Sequence, residues 1–214
     1  MDTSQIERIA KLVVNEITRG TNIRAECEVP IGVSARHVHL TQAHLDVLFG
    51  VGYQLTKNKS LSIPSQYAAN ERVTLVGRKQ AIEYVCILGP IRTVSQVEVS
   101  MTDARALGVS VPVRESGNTA GSAPLTIMGP KGTLDLPEGC IIAARHVHMS
   151  PEDAIRLGLL DGQEVCIRIC GVRAATFHHV KVRVDPSYVL ELHIDTDEAN
   201  AVGARNGDMA VLIK

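Results

Sequence analysis

Two short strings of the sequence are identical: Arg36-His37-Val38-His39 and, 109 residues later, Arg145-His146-Val147-His148. In an extended strand residues i and i+2 project from the same face, so each string presents two imidazoles side by side. Neutral imidazole nitrogen is a good ligand for zinc, cobalt, nickel or iron, and such a pair lacks only one or two further donors. One His-x-His alone is weak, because a histidine pair on a polar strand face arises without any ion. Two copies, each just before a hydroxyl that opens a helical pattern (Thr41 and Ser150), point to metal binding. The competing reading is a packing motif that a duplication merely copied.

Further donors lie on two alternating strands. His193, in Glu191-Leu192-His193-Ile194-Asp195, is a candidate ligand, with Asp195 or Glu191 placed to orient an imidazole. Glu98, in Gln96-Val97-Glu98-Val99, is a candidate carboxylate. Arg92 follows the turn Gly89-Pro90-Ile91 and offers a planar donor fork to a phosphate or carboxylate, against the plainer reading of a surface arginine. Arg36 and Arg145 point away from the histidines, as structural partners of local carboxylates or carbonyls. His44, His178 and His179 read as solvated or hydrogen-bonded rather than ligating. The five cysteines are scattered without a Cys-x-x-Cys and read as reduced core residues. No nucleophile elbow, Walker loop or dinucleotide fingerprint is present.

The elements that must position these groups are mostly strands. Short runs at 28–35, 71–78, 81–88, 94–100, 109–114, 124–128, 132–136, 140–144, 163–170, 179–184, 188–194 and 208–213 are Val- and Ile-rich, punctuated by Gly or Pro. Many short strands with few helices predict a mainly β fold, a sandwich or small barrels rather than a βαβ sheet. The His-x-His repeat divides the chain into two related units. Thr102–Gly108, Ser150–Gly158 and Thr196–Gly203 each predict a short capping helix with a hydroxyl N-cap, acidic first turn and Gly stop. Residues 2–19 carry Ile6, Ile9, Ala10, Val13 and Ile17 at helical spacing and predict an N-terminal amphipathic helix. A net charge of −1 gives no electrostatic reason to expect nucleic acid or an anionic membrane, and no apolar run reaches membrane-spanning length. An intracellular protein is expected.

Four stretches in order, Val33–Leu40, Leu88–Glu98, Ala144–Ser150 and Leu192–Asn200, resemble the PduL phosphotransacylases, and the likeness runs from about residue 29 to the C-terminus. The resemblance implies two closed β-barrels with short capping helices, one from 26–35 with 144–214, the other from 36–143 with a lid excursion near 50–70. It sets 1–22 apart as a helix similar to tags that direct enzymes into the lumen of a bacterial microcompartment, a cytoplasmic location being the alternative. It implies two zinc ions, replaceable by cobalt or nickel, one held by His146, His148 and His193 and the other by His37, His39 and Glu98. Arg92 would bind phosphate and serve catalysis. The implied reaction is direct transfer, acyl-CoA (propanoyl or acetyl) plus inorganic phosphate giving acyl phosphate plus coenzyme A, with a homodimer and shell or core proteins as partners. One departure stands in the lid, where Ile63-Pro64-Ser65-Gln66-Tyr67 replaces the Gln-Pro-Gly-Gln-Tyr common in the family. Two other readings of the histidines remain at this point: a cupin-like oxygenase or isomerase, and a metal-stabilised scaffold without activity.

Overall fold

The structure, a computed structural model, describes residues 27–213; the expected N-terminal helix lies outside them. Fourteen strands and four helices follow one another among the described residues. One six-stranded barrel closes from β1 (Cys27–Ser34), β13 (Glu191–Asp195), β10 (His146–Met149), β12 (Ala175–Val184), β11 (Glu164–Ile169) and β14 (Met209–Ile213). The second closes in the matching order from β9 (Thr133–Ala143), β6 (Gln96–Glu98), β2 (His37–His39), β5 (Ala81–Gly89), β4 (Tyr67–Val76) and β8 (Ala123–Met128). β3 (Lys57–Ser60) and β7 (Val113–Arg114) are appended to its strands β4 and β9. The pairings match one for one. β10 has β13 antiparallel on one side and β12 parallel on the other, as β2 has β6 and β5. The chain changes barrel twice, at Ala35-Arg36 and at Ala144-Arg145, the residues just before each His-x-His.

Closure puts alternate side chains inside. Val38, Ile87 and Val97 are buried in the second barrel, and Val147, Val182 and Leu192 in the first. Their neighbours in sequence, the histidines among them, are turned to the outer faces. Each barrel is plugged by two short helices. Leu45 and Leu48 of α1 (Gln42–Phe49) and Ala104 and Leu107 of α2 (Met101–Leu107) enter one core; Ala154 and Leu157 of α3 (Pro151–Leu157) and Ala199 and Val202 of α4 (Thr196–Val202) enter the other.

Several expectations need correction. Two predicted caps are displaced: α2 is capped by Ser100 rather than Thr102, and α4 by Asp195 rather than Thr196, each completing a reciprocal capping box. The predicted runs 132–136 and 140–144 form one strand, β9, and the run 109–114 contributes only two paired residues. β3 was not expected from the sequence. Cys170 is exposed rather than core. Ser65 adopts φ +70° even without the family's glycine, a left-handed conformation that costs a non-glycine residue about 1 kcal/mol.

Candidate metal centre

Strand pairing gathers the predicted donors into two sets. His37 stands opposite Glu98 across the β2–β6 pair, and His146 opposite His193 across β10–β13. Ligand atoms of His37, His39 and Glu98 all lie within 4.8 Å of one another, as do those of His146, His148 and His193. Within the second set the ring centroids are 4.5 to 5.1 Å apart. Both sets border one small cavity at the barrel junction, lined by Glu98 from one side and by His146 and His193 from the other. In all four strands the donor precedes a helix N-cap by two residues: His39 and Thr41, Glu98 and Ser100, His148 and Ser150, His193 and Asp195. The same strand-to-helix corner is used four times.

The crossover segments orient the rings. His37 Nδ1 donates to the Ala35 carbonyl at 2.8 Å, and His146 Nδ1 to that of Ala144, also at 2.8 Å. A carbonyl only accepts, so the proton sits on Nδ1 and Nε2 is turned toward its set. Arg36 pairs with Asp103 at 3.0 Å and Arg145 with Glu198 at 2.7 Å, and those carboxylates close the capping boxes of α2 and α4. The repeated Ala-Arg-His is thus a device that anchors a crossover to a helix start and sets a ring beside it.

Glu98 is held by residues that sequence reasoning missed. Its Oε1 accepts from Gln96 Nε2 at 2.6 Å and Ser116 Oγ at 2.9 Å, while Oε2 lies 3.5 Å from His37 Nε2. Gln96 shares a strand face with Glu98, a signal that was available; Ser116 comes from a loop that no pattern marks. Glu191 Oε2 lies 3.1 Å from His193 Nε2 and accepts from Ser62 of the excursion near 50–70, whereas Asp195 caps α4 and so does not orient the ring. Tyr188 stacks on His148 with centroids 3.9 Å apart, also unforeseen. Arg92 is tied to the site by its backbone, whose N–H donates to Leu40 O at 2.9 Å. His44 bonds Ser95, His178 meets Cys166, and His179 meets Glu164, none of them in a donor set.

The donors fit a cation. Four buried ring nitrogens have no hydrogen-bond partner: Nδ1 of His39, both nitrogens of His148, and Nε2 of His193, which is near Glu191 but not aligned with it. Each unpaired buried polar atom costs about 1–3 kcal/mol, and coordination would relieve that cost. Three imidazoles, or two with a carboxylate, are sets suited to a zinc-type ion.

Charge states agree with this fit. Burial, then the charge of His193, pushes His146 down to about 4. Burial, then neighbouring histidines, pushes His39 and His148 down to about 2. These rings are neutral, the ligating form. For His37 burial opposes charge, but the charge and hydrogen bond of Glu98 outweigh it and raise the pKa. Glu98 is held ionised well below the usual carboxylate range: burial opposes this, and His37 overcomes it.

In the metal-free protein the unfolded imidazoles titrate near 6.5, above the folded values of His39, His146 and His148. Between pH 6.5 and about 4 the unfolded state therefore binds more protons, and stability falls by about 1.4 kcal/mol per pH unit for each such histidine. His37 has the opposite sign: its contribution is full below 6.5 and is lost as pH rises through its raised value. Melting of chelator-treated protein is expected to show a Tm that drops steadily from pH 6.5 to 4.5. A level Tm over that window would contradict the burial of these rings.

Among the described residues no helix is long and apolar enough to cross a membrane. Residues 30–205 match the family model for phosphate propanoyltransferase. A phosphate propanoyltransferase of Lachnoclostridium phytofermentans is 53% identical over all of both chains. One of Thermotoga maritima is 48% identical over 90% of this chain and 92% of its own, and one of Salmonella typhimurium 44% identical over 96% and 95%. Together with two barrels that turn six matching donors toward one junction, these likenesses establish that the chain belongs to the phosphate propanoyltransferase family of acyltransferases.

Proposed function

We propose that the protein transfers a propanoyl or acetyl group directly between coenzyme A and inorganic phosphate, at a site where each donor set holds one divalent ion, zinc in the first place. The observation that carries this reading is the meeting of the two donor sets, one from each barrel, at a cavity lined by Glu98, His146 and His193, with the half-buried Arg92 near enough to His37 and His39 to act on both. A divalent ion in such a set supplies Lewis acidity for a thioester carbonyl and a soft seat for a thiolate.

The chain's own residues do the rest. Ala35 and Ala144 keep the Nδ1 protons away from the donor side. Gln96 and Ser116 fix the carboxylate of Glu98. Arg92 carries no ion pair among the described residues, so its fork is free to hold phosphate in line, which lowers the entropy cost of a two-substrate attack. Phosphate is ionised at neutral pH and needs no dedicated base. Neither donor set contains a cysteine, which favours direct transfer over an acyl-cysteine.

The test is thiol release from propanoyl-, acetyl- and butanoyl-CoA with phosphate, run on protein of measured metal content, then after chelation and after metal return. Activity that tracks two ions per chain is expected. Turnover by metal-free protein, or an acyl group trapped on a cysteine, would sink the reading. Homodimer formation and delivery to a microcompartment lumen with shell or core partners belong to the same reading and rest on the amphipathic spacing at 2–19. Fusion of residues 1–20 to a fluorescent protein tests the delivery, and diffuse fluorescence in shell-making cells counts against it.

A further inference from the structure

β10 and β12 run parallel with His148 opposite Arg183. Their flanking partners Val147 and Val182 are fully buried in the barrel, so Arg183 emerges on the outer face that carries the histidines. Its guanidinium carbon lies 5.9 Å from the centre of the Tyr188 ring, and that ring is itself stacked on His148. The loop that carries Tyr188 is locked by Asp185, whose Oδ1 accepts from Ser187 N at 2.8 Å and from Ser187 Oγ at 2.6 Å. Arg183 is thereby a neighbour of the His146–His148–His193 set, half-buried, on a rigid strand.

Its charge is not neutralised. Arg36, Arg145 and Arg156 each have a carboxylate within 3.0 Å. Among the described residues neither Arg183 nor Arg92 forms an ion pair. Arg183 and Arg92 come from opposite barrels, and Arg183 is close enough to act on Arg92: after burial and the opposing charge of Glu98 it is the next influence on that guanidinium, and it acts to lower its pKa. Asp185 also feels Arg183, but Ser187 engages its carboxylate and it makes no ion pair with the guanidinium. The internal repeat does not explain the residue. In the second barrel the register His37 to Cys86 and Val38 to Ile87 continues to Leu88 beside His39, so the position equivalent to Arg183 is apolar. One barrel alone presents a cation there.

We infer that Arg183 is the second arm of an anion seat, closing with Arg92 across the barrel junction on a single phosphoryl dianion, that of inorganic phosphate or of the acyl phosphate product. Two like charges set together in a half-buried cleft repel each other, and a doubly charged anion reverses the sign of that energy. Guanidinium forks match phosphate oxygens two at a time. Because the arms come from different barrels, the seat exists only where the two donor sets meet. The inference rests on the transacylase reading for its substrate. A phosphoryl group of coenzyme A shares the chemistry, and the kinetic measurements separate the two sources.

The experiment compares Arg183→Gln, Arg183→Lys and the unaltered protein in calorimetric titration with inorganic phosphate, and in KM for phosphate and for acyl-CoA, with metal content and melting checked. For Arg183→Gln, phosphate affinity is expected to weaken, and KM for phosphate to rise, by about ten- to a hundredfold, the range for losing one charge-assisted pair. KM for acyl-CoA should stay within about twofold and both ions should remain. Arg183→Lys, which keeps the charge but not the fork, should recover part of the loss. Unchanged phosphate binding in Arg183→Gln overturns the inference, and so does a loss that falls on acyl-CoA, which would give the guanidinium to the coenzyme. Should the unaltered protein turn over no acyl-CoA with phosphate, the transacylase reading fails, while the phosphate titration still judges Arg183.

Discussion

His148→Ala is expected to lower the rate of acyl transfer by about a thousandfold, roughly 4 kcal/mol of lost transition-state stabilisation, and to take the metal content from two ions per chain to one. The expectation follows from the ring's position. His148 is 4% exposed, both of its nitrogens lack hydrogen-bond partners, and it stands between His146 and His193 with centroids at 4.6 and 4.5 Å. Among the described residues the donors within mutual reach in that set are His146, His148 and His193 alone. Loss of packing is a competing cause of inactivity, since Tyr188 stacks on the ring. Elemental analysis with melting distinguishes the two. An inactive variant that keeps two ions, or an active one that has lost one, would show that the set does not serve the chemistry as proposed. His39→Ala, on the other barrel, should lose the other ion.

The ease of reading the site from sequence followed the range of the interactions that build it. His37 with His39, and His146 with His148, are each fixed by the period of a single strand, so the same-side pairs were legible directly. The resemblance supplied the grouping with Glu98 and His193; the residues alone did not, because that grouping depends on antiparallel registers that pair residues 47 and 61 positions apart, His146 with His193 and His37 with Glu98. The capping helices were visible, but two caps slid by one or two residues because Ser100 and Asp195, not the hydroxyls after them, have the extended backbone of an N-cap. Ser116, Ser62 and Tyr188 were illegible for a different reason. They reach the site from loops, and no periodicity governs where a loop arrives. Arg183 was hidden by its strand, where it reads as one more outward polar residue until the parallel partner His148 is known.

Arg92→Ala is expected to reduce kcat/KM for phosphate by about a hundred- to a thousandfold, with a much smaller effect on KM for acyl-CoA. The lower figure is the loss of one charge-assisted bidentate contact. The upper figure adds the positioning that an in-line attack demands, since slackening the held nucleophile forfeits pre-organised entropy. The half-buried guanidinium has no carboxylate partner within ion-pair distance among the described residues, so its removal leaves no carboxylate stranded, and a large loss of stability is not expected. What the variant does change is the field on the neighbouring donors. Arg92 helps to keep His39 neutral, after burial and His37, so deletion should make His39 easier to protonate and narrow the pH span over which acid destabilises the apo protein. Arg92→Lys separates charge from geometry. A lysine that restored full phosphate kinetics would reduce the role to a point charge, whereas recovery of only a fraction assigns the remainder to the planar fork. An equal rise in KM for both substrates would instead mean that Arg92 shapes the cleft rather than holding the nucleophile.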